Sequence, residues 1–573
     1  MRRLLLGQGA SRGIAVGRVR IRQPHALAVS EQRIDLDEVP AELTRLHRAL
    51  DSARAELHGL RERLHGALAH EVGEFVDLHA MILDDPDLRH GLEDLVGTGL
   101  YSADYALKLQ RDKLASVFAA MDDDYFRSRL EDLDHVVGRV HAALQRRDDD
   151  AAHGLAGAIL VCHNVAPSEL PELQAHGVIG IVCAAGSPLS HSAILARSLR
   201  LPLVVGAAEL LAVADDGDAL ALDGGSGELV LDPDDDDLRD FRALANELEQ
   251  EAIRLSRLIR QPTRTRDGSD IRLQANAESL LDVSEARQVG ADGIGLYRTE
   301  FLFLQRNEPP GEDEQYQLYR ELLGRMDGKP VTLRALDLGS DKTDQCGIAL
   351  RDEDNPALGV RGLRLLLAHE AIFMTQLRAM LRAAADGHLR ILLPMVSSRE
   401  ELIAAHALLQ RARDELEAED MAVAAHVDLG AMIEVPAAAL ALPQLADLVD
   451  FVSVGTNDLV QYLLAADRGH EGLGDLYSPL HPAVVRLLHQ LFAYCGRRKL
   501  PISVCGEMAG DPSNVPLLLA LGLTDFSLAP EILLAMRERI RACDRAALRK
   551  RAPLLLRARD RSQIQRWLLE HTP

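Results

Sequence analysis

The sequence predicts an α/β protein in two parts: an N-terminal α/β unit with a helical insertion, and a C-terminal (β/α)8 TIM-type barrel. Three observations carry this prediction. The chain has 573 residues, which is more than one ordinary domain holds. Apolar residues recur at helical spacing from about Leu36 to Leu144, and after residue 261 eight short apolar runs alternate with helical stretches.

Short strand-like runs on both sides of the helical segment predict the N-terminal α/β unit. GIAVGRVRI precedes that segment, and GAILVC, VIGIVCAAG, LPLVVG and the hairpin-like DALALDGGSGELVLDP follow it. We therefore assign residues 1–232 to an N-terminal domain, in which residues 1–30 and 150–232 form the α/β unit and residues 31–149 form the helical subdomain.

A charged helical run with few turn signals follows this domain. We assign residues 233–260 to a helical linker and residues 261–573 to the barrel. The runs that predict the barrel strands are DIRLQAN, GIGLYRTE, PVTLRAL, LRILLPM, LGAMIEVP, FVSVGTND, PISVCGE and DFSLAP. Their mostly apolar bodies fit a packed barrel interior, and the active site of such a barrel lies where its strands end.

Mainly polar and reactive side chains stand at the predicted strand ends: Asn276, Arg298, Arg334, Met395, Glu434, Asn457, Asp458 and Cys505. Arg298 and Arg334 offer fixed guanidinium groups for phosphate or carboxylate oxygens, which predicts an anionic substrate. Glu434 and Asp458 are hard oxygen ligands of the kind that Mg2+ takes when phosphate and water complete its shell. These strand ends therefore predict a metal-bound phosphate.

Two further side chains extend this predicted site. Arg468 lies in AADRG just past Asp458, where it would hold the other end of the substrate. Cys505 supplies a proton-bearing sulfur beside cations and metal. Alone, an arginine is more often part of a surface ion pair and a cysteine more often a small core residue. Their convergence on one end of the barrel favours a functional site.

One histidine, His191, lies in GSPLSHSAILARSLRLPLVVG, where turn-forming residues give way to a helix-like run. A ring at that position is close to the free amides and positive dipole of a helix start, which help to hold phosphate. Neutral imidazole is a nucleophile near neutral pH, and its phosphorylated form keeps transfer potential. Arg197, further along this helix, is expected to form an intrahelical surface pair.

Composition and charge exclude several other classes. Hydrophobic residues make up 47% of the chain and charged residues 27%, which is globular composition. The net charge of −24 argues against nucleic acid as the ligand and allows a basic protein partner. The cysteines show no CxxC pairing, which fits a reducing compartment, so we expect the cytoplasm. We expect no membrane segment, because no apolar window approaches the required length.

Nine segments spread over nearly the whole chain carry a family resemblance: GASRGIAVG, SHSAILARSLRLPLVVG, GIGLYRTEFLF, LRALDLGSDK, NPALGVRGLR, LLPMVSS, MIEVPAA, SVGTNDLVQYLLAADRG and SVCGEMAGD. Through them the chain resembles Enzyme I of the phosphoenolpyruvate-dependent phosphotransferase system. The resemblance implies that His191 accepts phosphate from phosphoenolpyruvate (PEP) bound in the barrel and passes it to the small carrier protein HPr. It also implies a homodimer formed through the barrel domain.

The resemblance assigns roles residue by residue. It implies that His191 and Cys505 are catalytic, with Cys505 protonating the departing enolate, and that Glu434 and Asp458 bind Mg2+. The substrate-binding residues that it implies are Arg298, Arg334, Asn457, Asp458 and Arg468, with Lys342 in GSDK as a weaker match. The chain departs from the family at Leu189, where a threonine is usual. The loss of that hydroxyl bears on the transfer rate or the lifetime of the phosphohistidine.

The helical subdomain resembles the HPr-docking part of the family, most closely in LHAMILDDPDL. The candidate docking residues are His79, Met81, Leu83, Asp84 and Asp85. Charge complementarity with a basic carrier favours this role. Met and Leu at helical spacing are, however, commonly core residues, and acidic runs are commonly solvated.

Two other functions fit parts of this pattern. An enzyme like pyruvate phosphate dikinase or PEP synthase shares the histidine segment and the barrel, but it needs an ATP-binding domain, and no glycine-rich nucleotide loop precedes His191. A catalytically inactive regulatory scaffold would not need His191, Cys505 and the charged strand ends together. The sequence therefore favours phosphotransfer from PEP to a protein.

Overall fold

The computed structural model describes residues 2–22, 31–63, 76, 78–119, 124–145, 155–188, 190–304, 308–339, 348, 353–467, 470, 473 and 476–572. Its contacts divide the chain into two compact units, Met1–Ala252 and Ile253–Pro573. The segment predicted as a linker, residues 233–260, contains the helix Asp235–Ser256, and the division falls near the end of that helix.

The first unit contains an eight-stranded sheet. Its strands are β1 (Arg3–Leu6), β2 (Gln8–Ser11), β3 (Ile14–Arg22), β4 (Ala158–Cys162), β5 (Gly180–Cys183), β6 (Leu203–Val205), β7 (Ala219–Asp223) and β8 (Glu228–Leu231). They lie in the order β1-β8-β7-β3-β4-β5-β6-β2. The central strands β3 to β6 are parallel, and the outer pairs are antiparallel. Every residue of β4 and β5 is buried, as parallel strands covered on both faces require.

Helices complete the first unit. The helical subdomain contains residues 78–84 and the helices Val39–Arg63, Pro86–Gly97, Ala103–Ala119 and Asp124–Gln145. The short helices beside the sheet are Leu170–Ala175, His191–Ser198 and Ala208–Val213. Leu46, Leu92 and Val136 are fully buried in the helical subdomain, because their apolar side chains recur on one face of each helix.

The second unit is a closed barrel of eight parallel strands. They are β9 (Arg272–Ala277), β10 (Ile294–Arg298), β11 (Val331–Arg334), β12 (Leu389–Leu393), β13 (Asp428–Ile433), β14 (Phe451–Val454), β15 (Ile502–Val504) and β16 (Asp525–Leu528). All eight predicted barrel strands are present, so the predicted fold class is confirmed. Parallel strands in a closed barrel bring their carboxyl ends to one rim, which places the predicted site residues together.

Helices surround the barrel strands. They are Leu280–Gln288, Glu312–Met326, Leu363–Ala368, Glu370–Ala383, Arg399–Ala418, Pro436–Leu440, Leu442–Leu445, Thr456–Leu464, Pro482–Arg498, Glu507–Gly510, Val515–Leu521, Leu533–Ala542, Arg545–Arg557 and Arg561–His571. Together with the strands they bury one large apolar core. No described helix combines the length and the apolar composition that a bilayer crossing requires.

Candidate active site

Arg334, the last residue of β11, is held by a carboxylate from the neighbouring strand end. Its Nη2 donates to Glu300 Oε1 at 2.9 Å and its Nε donates to the same oxygen at 3.2 Å. Glu300 lies in the single helical turn Thr299–Leu302 that follows β10, and its Oε1 also accepts the backbone N–H of Asp337 at 3.0 Å. The guanidinium group is therefore fixed in position before any ligand binds.

Alternating charges continue from this pair across the rim. Arg334 Nη1 lies 3.3 Å from Asp337 Oδ2, and the same oxygen accepts from Arg361 Nη2 at 3.1 Å. Arg361 Nη1 lies 3.6 Å from Asp458 Oδ1. We call the five residues Glu300, Arg334, Asp337, Arg361 and Asp458 the rim network. It links the carboxyl ends of β10, β11 and β14 in one electrostatic unit.

Burial and the charges of the rim network together raise the pKa of Glu434, which directly follows β13. Burial, reinforced by the negative charges of Asp337 and Asp458, raises the pKa of Glu434 to about 8, although Arg334 and the amide of Met395 act in the opposite direction. For Arg334, burial lowers the pKa, but Glu300, Asp337 and Glu434 raise it above its ordinary value. The guanidinium therefore stays charged, while the Glu434 carboxyl stays close to titration at neutral pH.

Glu434 and Asp458 have the donor chemistry that Mg2+ takes. Both are carboxylates, and their mutual repulsion contributes to the raised pKa of Glu434. A divalent cation between carboxylates favours their ionised forms, so it would relieve this repulsion. Glu434 Oε1 accepts the backbone N–H of Met395 at 2.6 Å, which fixes the carboxylate. Met395 itself adopts a left-handed backbone with φ 53°, a conformation that non-glycine residues hold mainly at constrained sites.

Arg298 and Asn457 lie at the same end of the barrel. Arg298 ends β10, and its Nη1 pairs with Glu278, just past the end of β9. Asn457 lies in the first turn of the helix Thr456–Leu464. Its Nδ2 donates to Glu507 Oε1 at 2.9 Å, and its Oδ1 accepts the backbone N–H of Glu507 at the same distance. Both predicted substrate-binding side chains therefore have fixed protein partners.

Cys505 directly follows β15 and keeps its thiol proton. Its Sγ donates to the backbone oxygen of Val454 at 3.5 Å, and the side chain is buried among Leu296, Leu392, Met432 and Phe451. Burial is the main cause that raises the pKa of Cys505, and the charge of Glu434 acts in the same direction. A buried protonated thiol beside cations suits the proton donor that the sequence predicts. Asn276 donates from Nδ2 to the Cys505 backbone oxygen at 3.1 Å and so steadies this position.

The sequence does not single out several charged side chains that form ion pairs at the rim. They are Glu278, Glu300, Asp337 and Arg361. Each lies inside a segment that carries the family resemblance or directly beside a strand end, and Asp337 follows Arg334 by three residues in LRALD. The charge pairing between strand ends was the signal available for finding them. Two predicted residues, Lys342 and Arg468, lie outside the described residues.

The helix His191–Ser198 begins at the predicted phosphate acceptor. Ser190 caps this helix, with its side-chain oxygen accepting the backbone N–H of Ala193 at 3.3 Å. Ser192 Oγ donates to the backbone oxygen of Val165 at 2.7 Å, which joins the helix to the segment after β4. The side chain of His191, and Leu189 as a whole, lie outside the described residues.

Arg197 does not form the intrahelical pair expected from the sequence. Its Nη1 donates at 3.0 Å to two backbone oxygens, those of Ala10 and Pro188. The guanidinium group thereby connects the loop before His191 to strand β2. The expectation failed because helical spacing does not report backbone acceptors that are distant in sequence.

The candidate docking residues differ in exposure. His79 is 1% exposed, with its Nε2 3.3 Å from Asp132 Oδ1, and Leu83 is also buried. Met81 is 71% exposed, and Asp84 and Asp85 are exposed as well. Asp85 caps the helix Pro86–Gly97. The exposed part of the predicted docking set therefore consists of its methionine and its two aspartates, of which Asp84 is paired with Arg54 at 2.9 Å.

Another group with metal-ligand chemistry lies at the opposite end of the barrel. His426 Nε2 is 3.2 Å from Asp428 Oδ1 and 4.0 Å from Asp450 Oδ2. These residues precede or begin β13 and β14, so they lie at the amino ends of those strands. They are separate from Glu434 and Asp458, which lie at the carboxyl ends.

The chain matches the PEP-utilising enzymes along most of its length. Three family models match the chain in succession: the PEP-utilising enzyme N-terminal domain over residues 6–129, the PEP-utilising enzyme mobile domain over residues 154–227, and the PEP-utilising enzyme PEP-binding domain over residues 253–545. The last match covers the barrel and its rim.

Full-length relatives narrow this class. A phosphoenolpyruvate-protein phosphotransferase of Cupriavidus necator is 40% identical over 551 residues, covering 94% of both chains. One of Geobacillus stearothermophilus is 37% identical and covers 93% of this chain and 92% of its own. The chain therefore belongs to the phosphoenolpyruvate-protein phosphotransferase family. A solution structure of an Enzyme I protein covers 43% of this chain and 99% of its own, at 27% identity and a TM-score of 0.35.

Proposed function

We propose that this chain transfers the phosphoryl group of PEP to its own His191 and then to a histidine of the carrier protein HPr, releasing pyruvate. This is the first step of a sugar or regulatory phosphotransferase system. The observation that carries the proposal is the rim network, in which fixed cations stand beside two metal-type carboxylates and a protonated thiol. The names of the full-length relatives support the same reaction.

The substrate would bind at the carboxyl end of the barrel. We assign its phosphate and carboxylate oxygens to Arg298, Arg334, Asn457 and Arg468, whereas Asp458 would contribute to substrate binding through the Mg2+ that it helps to hold. Because Glu300 and Asp337 already orient Arg334, less conformational entropy is lost when an anion binds. Glu434 and Asp458 would hold Mg2+, which neutralises phosphate charge when bound.

Two residues would perform the chemistry. A ring nitrogen of His191 attacks phosphorus, the bond from phosphorus to the enolate oxygen breaks, and its electron pair stays with the enolate. Cys505 then gives its proton to the enolate carbon, which yields pyruvate. The raised pKa of Cys505 keeps that proton in place until the enolate forms.

HPr would dock on the helical subdomain. The exposed side chains of Met81, Asp84 and Asp85 provide one apolar and two acidic contacts, which suit a carrier with a basic surface. The family resemblance further leads us to propose a cytoplasmic homodimer that associates through the barrel. Analytical ultracentrifugation of the full chain measures that association.

Self-phosphorylation with and without nucleotide tests the proposed reaction. The purified chain is incubated with 32P-labelled PEP and Mg2+, in the presence and in the absence of ATP. We expect equal labelling in both samples and no labelling of His191→Ala. Passage of the label from the chain to an adenine nucleotide, rather than to HPr, would instead support the dikinase-like alternative. A folded protein that takes no label under either condition would be a scaffold.

A further inference from the structure

Two cysteines face each other at the ends of neighbouring strands, and the chain runs from the second of them to His191. Cys162 ends β4 and Cys183 ends β5, and the two are register partners on these parallel strands. Their Sγ atoms are 3.8 Å apart, and each side chain is 1% exposed. The mechanism proposed above uses neither thiol.

Arg22, Cys162 and Cys183 lie side by side on β3, β4 and β5, and we call these three residues the row. Arg22, the last residue of β3, is the register partner of Cys162. Its guanidinium forms two hydrogen bonds to Glu169, at 2.9 and 3.1 Å, and is therefore held in place. The hydrogen bond from Cys183, and after it the charge of Arg22, lower the pKa of Cys162 despite its burial, while the same pairing raises the pKa of Cys183. The pairing thus favours the thiolate form at Cys162 relative to Cys183.

We propose that Cys162 and Cys183 are an oxidation site, a thiol pair that hydroperoxides convert to a disulfide and that thereby controls phosphate transfer at His191. The thiolate of Cys162 attacks the terminal peroxide oxygen, so that an S–O bond forms, the O–O bond breaks and water, or the alcohol of an organic hydroperoxide, leaves after protonation. Cys183 then attacks the sulfenic sulfur, the S–S bond forms, and a second water leaves with its proton. Two thiols lose two electrons, and the hydroperoxide gains them.

The spacing of the strands permits this bond. Neighbouring strands lie about 4.8 Å apart, within the range of Cα separations that disulfides bridge. The Sγ atoms must approach from 3.8 Å to about 2.05 Å, and because disulfides favour a Cα separation of about 5.5–6 Å, the bond shifts the ends of β4 and β5 relative to each other. The closure therefore acts on the backbone that follows each cysteine.

That backbone supports the start of the His191 helix. The Ala184 amide donates to the Cys162 oxygen at 2.9 Å, and the Ala185 amide donates to the His163 oxygen at 3.0 Å. Three residues beyond Cys162, the Val165 oxygen receives the hydrogen bond from Ser192. Closing the pair displaces these acceptors, so we expect slower transfer at His191. This regulatory step rests on the proposed function, whereas disulfide formation does not.

Peptide mapping tests the chemistry independently of activity. The full-length protein is treated with hydrogen peroxide, alkylated, digested and analysed by mass spectrometry. We expect a Cys162–Cys183 disulfide that dithiothreitol reverses. Cys495 and Cys543 serve as internal controls, because burial raises their pKa values to about 12 and about 11 and they should remain alkylated. If Cys162 and Cys183 stay reduced, or oxidise no faster than these controls, the proposal is overturned.

Substitutions of Arg22 test its role in disulfide formation. Arg22→Met should slow disulfide formation about three- to tenfold, because a higher pKa leaves less thiolate, and Arg22→Lys should restore part of the rate. If Arg22→Met oxidises as fast as the unaltered protein, Arg22 has no part in the chemistry. Circular dichroism before treatment verifies that each variant is folded.

Phosphate exchange with phospho-HPr tests the regulation. Peroxide should reduce exchange at least about tenfold in the unaltered protein and in Cys495→Ser, but not in Cys183→Ser or in the second variant Cys162→Ser. A mapped disulfide with unchanged exchange would overturn the regulatory step alone. Absence of exchange before any peroxide treatment would instead overturn the proposed function.

Discussion

Arg334 and Glu300 form an ion pair in which the two side chains are 11% and 9% exposed. Only one oxygen of the carboxylate takes part, since Oε1 receives both guanidinium hydrogen bonds. Oε2 is buried and has no hydrogen-bond partner within the part of the chain that the structure describes. Glu300 thus holds Arg334, the proposed substrate-binding arginine, in position at the barrel rim.

Removing the charge of Glu300 should weaken PEP binding. Glu300→Gln leaves Arg334 with fewer opposing charges. We therefore expect KM for PEP to rise about 10- to 100-fold, which corresponds to a loss of about 1.4–2.8 kcal/mol of binding free energy, and we expect a smaller change in kcat. The matched control is Glu278→Gln, whose pair with Arg298 is 41% and 40% exposed. An exposed pair contributes about 0–1 kcal/mol, so KM should change less than about fivefold. Steady-state pyruvate release measures both, and equal effects would contradict the positioning role.

The two half-reactions should separate His191 from Cys505. His191→Ala should abolish both pyruvate release and phosphate exchange with phospho-HPr, while PEP and Mg2+ still bind the barrel in calorimetry. Cys505→Ala should lower pyruvate release by about 10²–10⁴-fold, the typical loss on removing a positioned acid. Exchange should survive in Cys505→Ala because it uses no barrel chemistry. Near-normal pyruvate release in this variant would remove Cys505 as the proton donor.

Acid should destabilise the first unit through Glu169. Burial alone would raise the pKa of Glu169, but the charge of Arg22, followed by those of other cations, lowers it from 4.5 to about 2. Because the pKa is lowered in the folded state, the ionised carboxylate stabilises that state above about pH 4.5. This stabilisation is lost as the pH falls toward 2 and the carboxylate is protonated. The unaltered protein should have a higher free energy of unfolding than Glu169→Gln at pH 4.5. Between pH 4.5 and pH 3 this difference should shrink by about 2 kcal/mol.

Two spectroscopic signals locate this acid effect. Urea unfolding followed by far-ultraviolet circular dichroism reports both units. Trp567, the only tryptophan, is buried in the second unit, and its fluorescence reports the barrel. The pH-dependent difference should appear in the dichroism and not in the fluorescence. A difference of equal size in both signals would contradict its assignment to Glu169.

Two glycines should respond oppositely to an added methyl group. A Cβ atom at Gly506 would overlap Thr456 Oγ1 and lie 2.9 Å from Asn457 Oδ1, so Gly506→Ala should displace the rim beside Cys505. We expect pyruvate release to fall at least about tenfold, since small displacements at reacting groups are costly. Gly496 is exposed in the helix Pro482–Arg498 with open space at its Cβ position. Gly496→Ala should raise the free energy of unfolding of the barrel by about 0.5–1 kcal/mol, measured by Trp567 fluorescence.

The sequence predicts the barrel well because its strands are buried on both faces. LRILL in β12 is apolar except for Arg390, and AILVC in β4 of the first unit is a continuous apolar run; both retain a strand signal without any knowledge of their neighbours. The sequence does not predict the edge strands β1 and β2. RLLL and QGAS are four residues long, and QGAS has no apolar pattern, so their pairing with β8 and β6 depends on tertiary contacts.

In the site, too, the sequence predicts the features that depend on local pattern and not those that depend on tertiary contacts. The sequence predicts Arg298, Arg334, Glu434 and Cys505 from their positions at strand ends, and the structure brings these ends to one rim. The sequence does not predict which carboxylate pairs with which arginine. Arg334 pairs with Glu300 from the neighbouring strand end, and Arg361 pairs with Asp337 from a different loop. Nor does the sequence predict the pKa of Glu434, which depends on burial and on charges from other strands.

Barrel closure joins β16 to β9, and Ser527 pairs with Gln274 about 250 residues earlier in the chain. On the ribosome, β9 therefore emerges without its second neighbour and waits about 10–50 s for β16, at a synthesis rate of about 5–20 residues per second. Its unpaired edge is open to intermolecular association during that interval. The sheet of the first unit needs only strands up to Leu231, so it can be complete while the barrel is still nascent. Newly made chains should therefore depend on chaperones chiefly through their second half.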